Sequence, residues 1–178
     1  IRHNSDLLPL FINKPMMYPK GEKFQYNNSG YVLLAMIIEK VTGMCFDQYL
    51  KKNVFDVCGM KSTGYYELDR LPAKCANNYI YCNDTGGYRT NIFSVDVKGN
   101  GAGGAFITVK DIVSFWTDLL KGNLISKALV SDMLSKQSGD GSDPEEGYYG
   151  YGVWIIDNPN GEDFAYFQGF DPGVSFMS

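Results

Sequence analysis

Histidine is almost missing from this sequence. His3 is the only one in 178 residues, and no Ser or Asp stands at a spacing that would tie it into a Ser-His-Asp triad. The four cysteines, Cys45, Cys58, Cys75 and Cys82, include no Cys-x-x-Cys pair, so the ligand spacing of a structural zinc site is absent. Their even number permits two disulfides, but the irregular spacing reads more simply as buried or free thiols. The residues call for no metal and no other cofactor. Basic clusters are scarce too. Lys51-Lys52 is the one adjacent basic pair, the net charge is −4 and the sequence pI is about 4.9. Nucleic-acid binders carry a basic face, so that class is set aside. No run approaches the ~18 apolar residues of a membrane span, so no membrane segment is expected in this chain. Nothing marks a compartment.

What the sequence has in plenty is aromatic side chains: 13 Tyr, 11 Phe and 2 Trp, 15% of residues. They could line a wet cleft, but a core built with aromatics is the preferred reading, because buried rings carry much apolar area. The length suits one domain, with or without a smaller lobe.

Residues 1–23, punctuated by Pro9, Pro15 and Pro19, read as a loop or extended segment. A helix follows Tyr26. Leu34, Ile37, Ile38 and Val41 recur at helical spacing and predict one buried stripe. Asn28 or Ser29 can cap its start, and Gly43 stands just past its end. A short helix is expected over Phe46 to about Lys52, and short strands over Asn78–Tyr81 and Ile92–Val97. The glycine-rich run Gly99–Ala105 has no Lys-Ser or Lys-Thr after it, as a phosphate loop requires. It reads instead as a close backbone approach. Thr108-Val109-Lys110-Asp111 resembles a capping box opening a helix with Ile112, Phe115, Trp116 and Leu119 at helical spacing. Another helix runs from Lys127 to about Leu134 behind Ser126. Residues 138–147 read as a surface loop.

Beyond it the pattern changes. Tyr148–Ile156 reads as a strand, Asn158-Pro159-Asn160-Gly161 as a hairpin turn, Phe164–Gln168 as the return strand, and Val174–Met177 as a third strand after Asp171-Pro172-Gly173. Helices and loops over 1–147 with an antiparallel sheet over 148–178 make an α+β pattern within one domain. Such a sheet has two open edges, which natural proteins cover. Further N- and C-terminal parts, or another chain, are expected to complete it.

Tyr26 and Asn28 are the candidate catalytic residues. A phenol beside a helix start can have its pKa lowered by the helix dipole and by a neighbouring cation. An Asn there can offer its amide to a substrate carbonyl, or merely cap the helix. Spacing alone leaves both open.

The surroundings of this pair resemble a known family. Phe24-Gln25-Tyr26-Asn27-Asn28-Ser29-Gly30-Tyr31-Val32-Leu33-Leu34 is similar to the second active-site motif of the serine β-lactamase and penicillin-binding protein superfamily, in its class C-like branch. Pro19-Lys20-Gly21 precedes it, with one residue more between Pro and Gly than the family has. Val54-Phe55-Asp56-Val57-Cys58-Gly59-Met60 resembles a family turn. Gly101–Ile112 resembles its glycine-rich entry to a helix, and Tyr149-Gly150-Tyr151-Gly152-Val153-Trp154 one of its strands. Phe167-Gln168-Gly169 stands where the third motif belongs. The segments follow one another in the family's order over nearly the whole chain.

The resemblance implies a helical lobe plus part of the antiparallel sheet of the β-lactamase/transpeptidase-like fold. It also implies acyl transfer: a Ser activated by Lys attacks a carbonyl, and water resolves the acyl-enzyme. The substrate would be a D-alanyl peptide, a β-lactam or a small ester. Tyr26 would share the proton with that Lys, Asn28 would hold a substrate amide, and Phe167, Gln168 and Gly169 would border the substrate, Gly169 near a backbone oxyanion donor. Two departures limit this. Phe167 replaces the Lys or His of the third motif and cannot donate to a carboxylate. No Ser stands three residues ahead of any Lys, so the Ser-x-x-Lys nucleophile lies outside these residues. The alternative is a non-catalytic relative that binds peptides or cell-wall fragments.

Overall fold

In the computed structural model, residues 1–139 and 147–178 are described; most of the predicted surface loop, residues 140–146, falls outside them. Contacts gather the chain into two units. One comprises Ile1–Phe115 with Asp171–Val174, the other Trp116–Phe170 with Ser175–Ser178.

The N-terminal segment is not a plain loop. A short helix α1, Asn4–Leu7, runs into a 3-10 turn at Leu8–Leu10. The Asp6 carboxylate closes its start, accepting from the N–H groups of Arg2 and His3, each at 3.0 Å. Pro9 stands in the first positions of the 3-10 turn, where its missing N–H leaves nothing unpaired.

Helix α2 spans Asn28–Thr42 and ends at Gly43, whose φ of 68° is the left-handed conformation of a glycine stop. Its cap is neither Asn28 nor Ser29. Asn27 has extended backbone, φ −148° and ψ 115°, and its side-chain oxygen accepts from the Gly30 N–H. The predicted inward stripe is also corrected. Val32 and Ala35 are buried, at 3% and 2% exposure, whereas Leu34, Ile37 and Val41 are 54%, 57% and 79% exposed. Apolar residues surround much of this helix, so periodicity alone cannot choose the face. Gly101 chooses it: a Cβ there would stand 2.5 Å from the Tyr31 carbonyl oxygen and 2.6 Å from the Ala35 Cβ. The glycine-rich run is thus the close backbone approach expected of it.

After α2 come α3, Phe46–Leu50, and a π-helical turn at Lys51–Phe55. No single helix among the described residues is long and apolar enough to cross a membrane; α2 with Phe46–Phe55 meets the test only as a pair bent by 77°. Strands β1, Tyr79–Cys82, and β2, Gly87–Thr90, form an antiparallel hairpin with Tyr81 opposite Tyr88. β1 lies where it was predicted. Its partner is not Ile92–Val97, a region of turns in which the Ser94 N–H bonds the Asn91 carbonyl at 2.7 Å. Gly86, at φ 65°, turns the chain back earlier.

Helix α4, Val109–Lys121, starts as predicted, with the Thr108 hydroxyl accepting from the Asp111 N–H at 3.2 Å. The Asp111 carboxylate does not complete a capping box. It accepts from the Ser62 N–H and the Thr63 hydroxyl, both at 2.8 Å, and is 5% exposed. Helix α5, Lys127–Met133, is capped by Ser126.

Tyr148–Ile156 is two strands rather than one. β3, Tyr148–Tyr149, and β4, Trp154–Ile156, pair antiparallel across a tight turn in which the Gly150 N–H bonds the Val153 carbonyl at 2.9 Å and Gly152 has φ 84°. β5, Phe164–Tyr166, completes the sheet order β3-β4-β5. β6, Gln168–Asp171, and β7, Val174–Met177, form a second hairpin. The α+β class is as the sequence predicted. The aromatic core is not: among the described residues the buried hydrophobic ones include Val32, Ala35, Met60, Leu119, Val153 and Ile155, with Phe55 and Tyr149 the aromatics among them. All four cysteines are free thiols.

Candidate active site

Tyr26 and Asn28 flank the residue that caps α2. Asn27 spends its side chain on the Gly30 N–H. That releases Asn28, which is exposed and whose amide joins no hydrogen bond among the described residues. The capping role that could have explained Asn28 therefore belongs to its neighbour.

Tyr26 lies on extended backbone just ahead of the cap, 38% exposed, with its ring 5.8 Å from that of Tyr31. Its phenol is not made more acidic. Burial, with a smaller contribution from Tyr31, pushes its pKa above the usual 10. The dipole acts within the first helical turn, and Tyr26 stands outside it. The nearby cation, Lys23, sits over the Tyr18 ring at 4.7 Å. A phenol of this kind holds its proton until a cation is brought to it.

A buried polar network fixes α2 behind this pair. Asn4, 4% exposed, accepts from the Gly101 N–H at 2.8 Å and donates to Glu39 Oε1 at 3.3 Å. Glu39 also accepts from the Phe46 N–H at 3.0 Å. Sequence reasoning missed Asn4 and Glu39. Their partners lie up to 97 residues away, and only the Gly101 signal pointed towards the contact.

Phe167, Gln168 and Gly169 belong to the other unit. The Phe167 ring stacks on Trp116, centroids 4.6 Å apart and planes 25° apart. Its backbone pairs with Ser178 through bonds of 3.0 and 3.1 Å, and the Trp116 indole N–H donates to the Ser178 hydroxyl at 3.2 Å. Gln168 and Gly169 are half-buried, and a Cβ on Gly169 would meet nothing within 4 Å. No group of three or more His, Cys, Asp or Glu side chains among the described residues is placed to hold a metal ion. A shallow groove of about 570 Å³ on the β1–β2 hairpin, lined by Ile80, Cys82, Thr85 and Arg89 among others, includes none of these candidates.

Known proteins resemble the chain in sequence and in fold. Over 98% of its length the chain is 28% identical to penicillin-binding protein 4* of Bacillus subtilis, and over 74% it is 28% identical to the teichoic acid D-alanine hydrolase of Staphylococcus aureus. It spans only 41% and 32% of those proteins. The crystal structure of a penicillin-binding protein from Bacillus halodurans matches 99% of the chain with a TM-score of 0.92 and 39% identity, using 53% of that protein. The beta-lactamase family model matches residues 3–177, and the chain belongs to that family, within the superfamily of serine β-lactamases and penicillin-binding proteins.

Proposed function

We propose that these residues supply the tyrosine–asparagine half of a serine acyl-transfer site, whose serine and lysine come from elsewhere in the parent protein. The observation that carries the reading is the division of labour at the α2 start: Asn27 caps, leaving the exposed Asn28 amide beside Tyr26 for chemistry. A Ser of a Ser-x-x-Lys segment attacks the carbonyl. The Lys lowers the Tyr26 phenol pKa from its raised value and the two share the nucleophile's proton. Asn28 donates to a substrate amide, and by the family resemblance alone Gly169 is given the role of a backbone neighbour of the oxyanion. Phe167 offers no donor to a carboxylate. That favours a D-alanyl ester or amide over a substrate recognised by a free carboxylate, in keeping with the D-alanine hydrolase among the relatives.

The test uses the full-length parent protein. Tyr26→Phe is expected to lower kcat/KM on a D-alanyl ester by about 10²–10⁴, and Asn28→Ala to act mainly on amide-bearing substrates. Unchanged rates in both variants would overturn the reading. The chain by itself should take no covalent label from a fluorescent penicillin. Phe167 supports a second reading, a non-catalytic peptide or cell-wall binder; a parent sequence without Ser-x-x-Lys would decide for it.

A further inference from the structure

Asn27 caps α2, which makes Tyr26 the residue before the cap and Tyr31 the fourth residue of the helix. These two positions meet where a chain enters a helix. An apolar pair placed there closes over the first turn and sets the angle at which the chain arrives. Here both are tyrosines, with ring centroids 5.8 Å apart and planes tilted by 38°. Tyr31 is half-buried and Tyr26 is 38% exposed, so the inner ring backs the outer one.

A pair that served the helix alone would need only apolar bulk at each place. Here the residue before the cap is the phenol that the proposed chemistry uses, so whatever fixes the entry of the chain fixes that phenol. A tyrosine ring without a neighbour samples its staggered rotamers, and each puts the hydroxyl somewhere else. Tyr31 is itself held from behind. Its carbonyl oxygen is the atom on which Gly101 packs, with no room for a Cβ between them. The Gly101 N–H is bound by the buried Asn4 side chain at 2.8 Å. Loop, helix backbone and Tyr31 ring thus form a continuous stop behind Tyr26. Asn28 opens the same turn, so phenol and amide share one support.

We infer that Tyr31 is a positioning residue, whose ring holds the Tyr26 phenol in the place from which it shares the proton and so pre-organises the tyrosine–asparagine pair before substrate binds. This rests on the acyl-transfer reading. Such placement matters because a displacement of about 1 Å can cost ~10²-fold in rate. The environment of the phenol agrees with the geometry. Burial, and to a smaller extent Tyr31, pushes the Tyr26 pKa above the usual 10, and the neighbouring Lys23 lies over the Tyr18 ring instead.

The experiment has two arms. In the chain itself, the Tyr26 phenol is titrated by NMR with ring-labelled tyrosine, its signal assigned through Tyr26→Phe. Tyr31→Ala should bring the pKa down towards 10, because it removes both the cover and the neighbouring phenol. Tyr31→Phe keeps the ring and loses only the smaller contribution, so it should retain most of the shift. Tyr31→Leu fills space without a ring face and should lie between the two; it stands in if the alanine variant does not fold. Tyr88→Ala, which breaks an exposed ring pair of 5.2 Å on the β1–β2 hairpin, should change nothing. A Tyr26 titration unmoved by Tyr31→Ala and Tyr31→Leu would overturn the inference. In the full-length parent, Tyr31→Ala should lower kcat on a D-alanyl ester by about tenfold or more with KM within about twofold, and Tyr31→Phe should restore it. In a Tyr26→Phe background Tyr31→Ala should cost nothing further, because its effect passes through the missing hydroxyl. A residue that only supported the fold would slow both backgrounds alike. That additive result, or an unaffected kcat, overturns Tyr31 as a positioning residue. If Tyr26→Phe itself leaves the rate unchanged, the acyl-transfer reading falls, and the titration still decides whether Tyr31 holds Tyr26.

Discussion

Gly101→Ala adds one methyl group where α2 leaves no space. The new Cβ would stand 2.5 Å from the Tyr31 carbonyl oxygen and 2.6 Å from the Ala35 Cβ. Neither neighbour is a flexible side-chain end that can swing aside; one is backbone, and the other is fixed to it. The loop or the helix must shift, and overpacking of this kind costs about 1–3 kcal/mol. The shift also strains the 2.8 Å bond from the Gly101 N–H to Asn4, in a site where Asn4 is 4% exposed. Losing it adds about 1 kcal/mol. The expected total is about 2–4 kcal/mol, a large share of the ~5–15 kcal/mol that holds a typical domain. Urea unfolding should show a lower midpoint at unchanged slope, with hydrogen exchange rising first in α2. Gly30→Ala is the control: with nothing within 4 Å, it should gain up to ~1 kcal/mol from helix propensity. A Gly101→Ala protein within ~0.5 kcal/mol of the parent chain would refute the close approach and the placement of α2 that depends on it.

The two neighbouring asparagines should separate cleanly. Asn27→Ala removes the cap and should cost about 1 kcal/mol, while Asn28→Ala should stay within ~0.5 kcal/mol in the same thermal or urea assay. Asp111→Ala leaves the Ser62 N–H and Thr63 hydroxyl without their acceptor and should destabilise by about 2–4 kcal/mol, with Asp111→Asn milder. Burial, helped by the Asp47 charge, pushes the Tyr65 phenol up to about 12. The unfolded chain therefore loses this proton first as pH rises. Tyr65's contribution is intact below pH 10 and drains away between 10 and about 12, a loss of about 3 kcal/mol. Tyr26 acts in the same direction. Tyr65→Phe should flatten the alkaline limb of a stability–pH curve, and an unchanged limb would remove Tyr65 as its cause.

What could be read from the sequence was local. The Ser126 cap, the Thr108 hydroxyl at the start of α4, the Gly43 stop and the turn at Pro172-Gly173 each need only a few adjacent residues, and each stands where the pattern put it. Misreadings arose where one residue type serves two purposes. The strand expected at Ile92–Val97 is one such case: Gly86 turns the chain back earlier, and Gly87–Thr90 pairs with β1 instead. Gly150 and Gly152 could be tolerated in a strand, but they fold β3 back onto β4. The face of α2 was illegible for another reason. Apolar residues lie on both sides, and the inward side is set by a glycine some 70 residues further along the chain.

The candidate site divides in the same way. Tyr26 and Asn28 could be nominated because their motif is contiguous, but the capping explanation that competed with the chemical one could not be dismissed from spacing. It took the extended backbone of Asn27 and its bond to Gly30 to assign the cap. At Phe167 the inference runs the other way. The sequence registers a lost Lys or His, whereas the structure gives the ring that stands there a place: a stack on Trp116, whose indole N–H bonds the residue paired with Phe167. Such a stack contributes about 0.5–1.5 kcal/mol beyond its buried area. A charged residue restored there would forfeit that packing, so Phe167 has a physical reason to stay aromatic that is independent of any substrate.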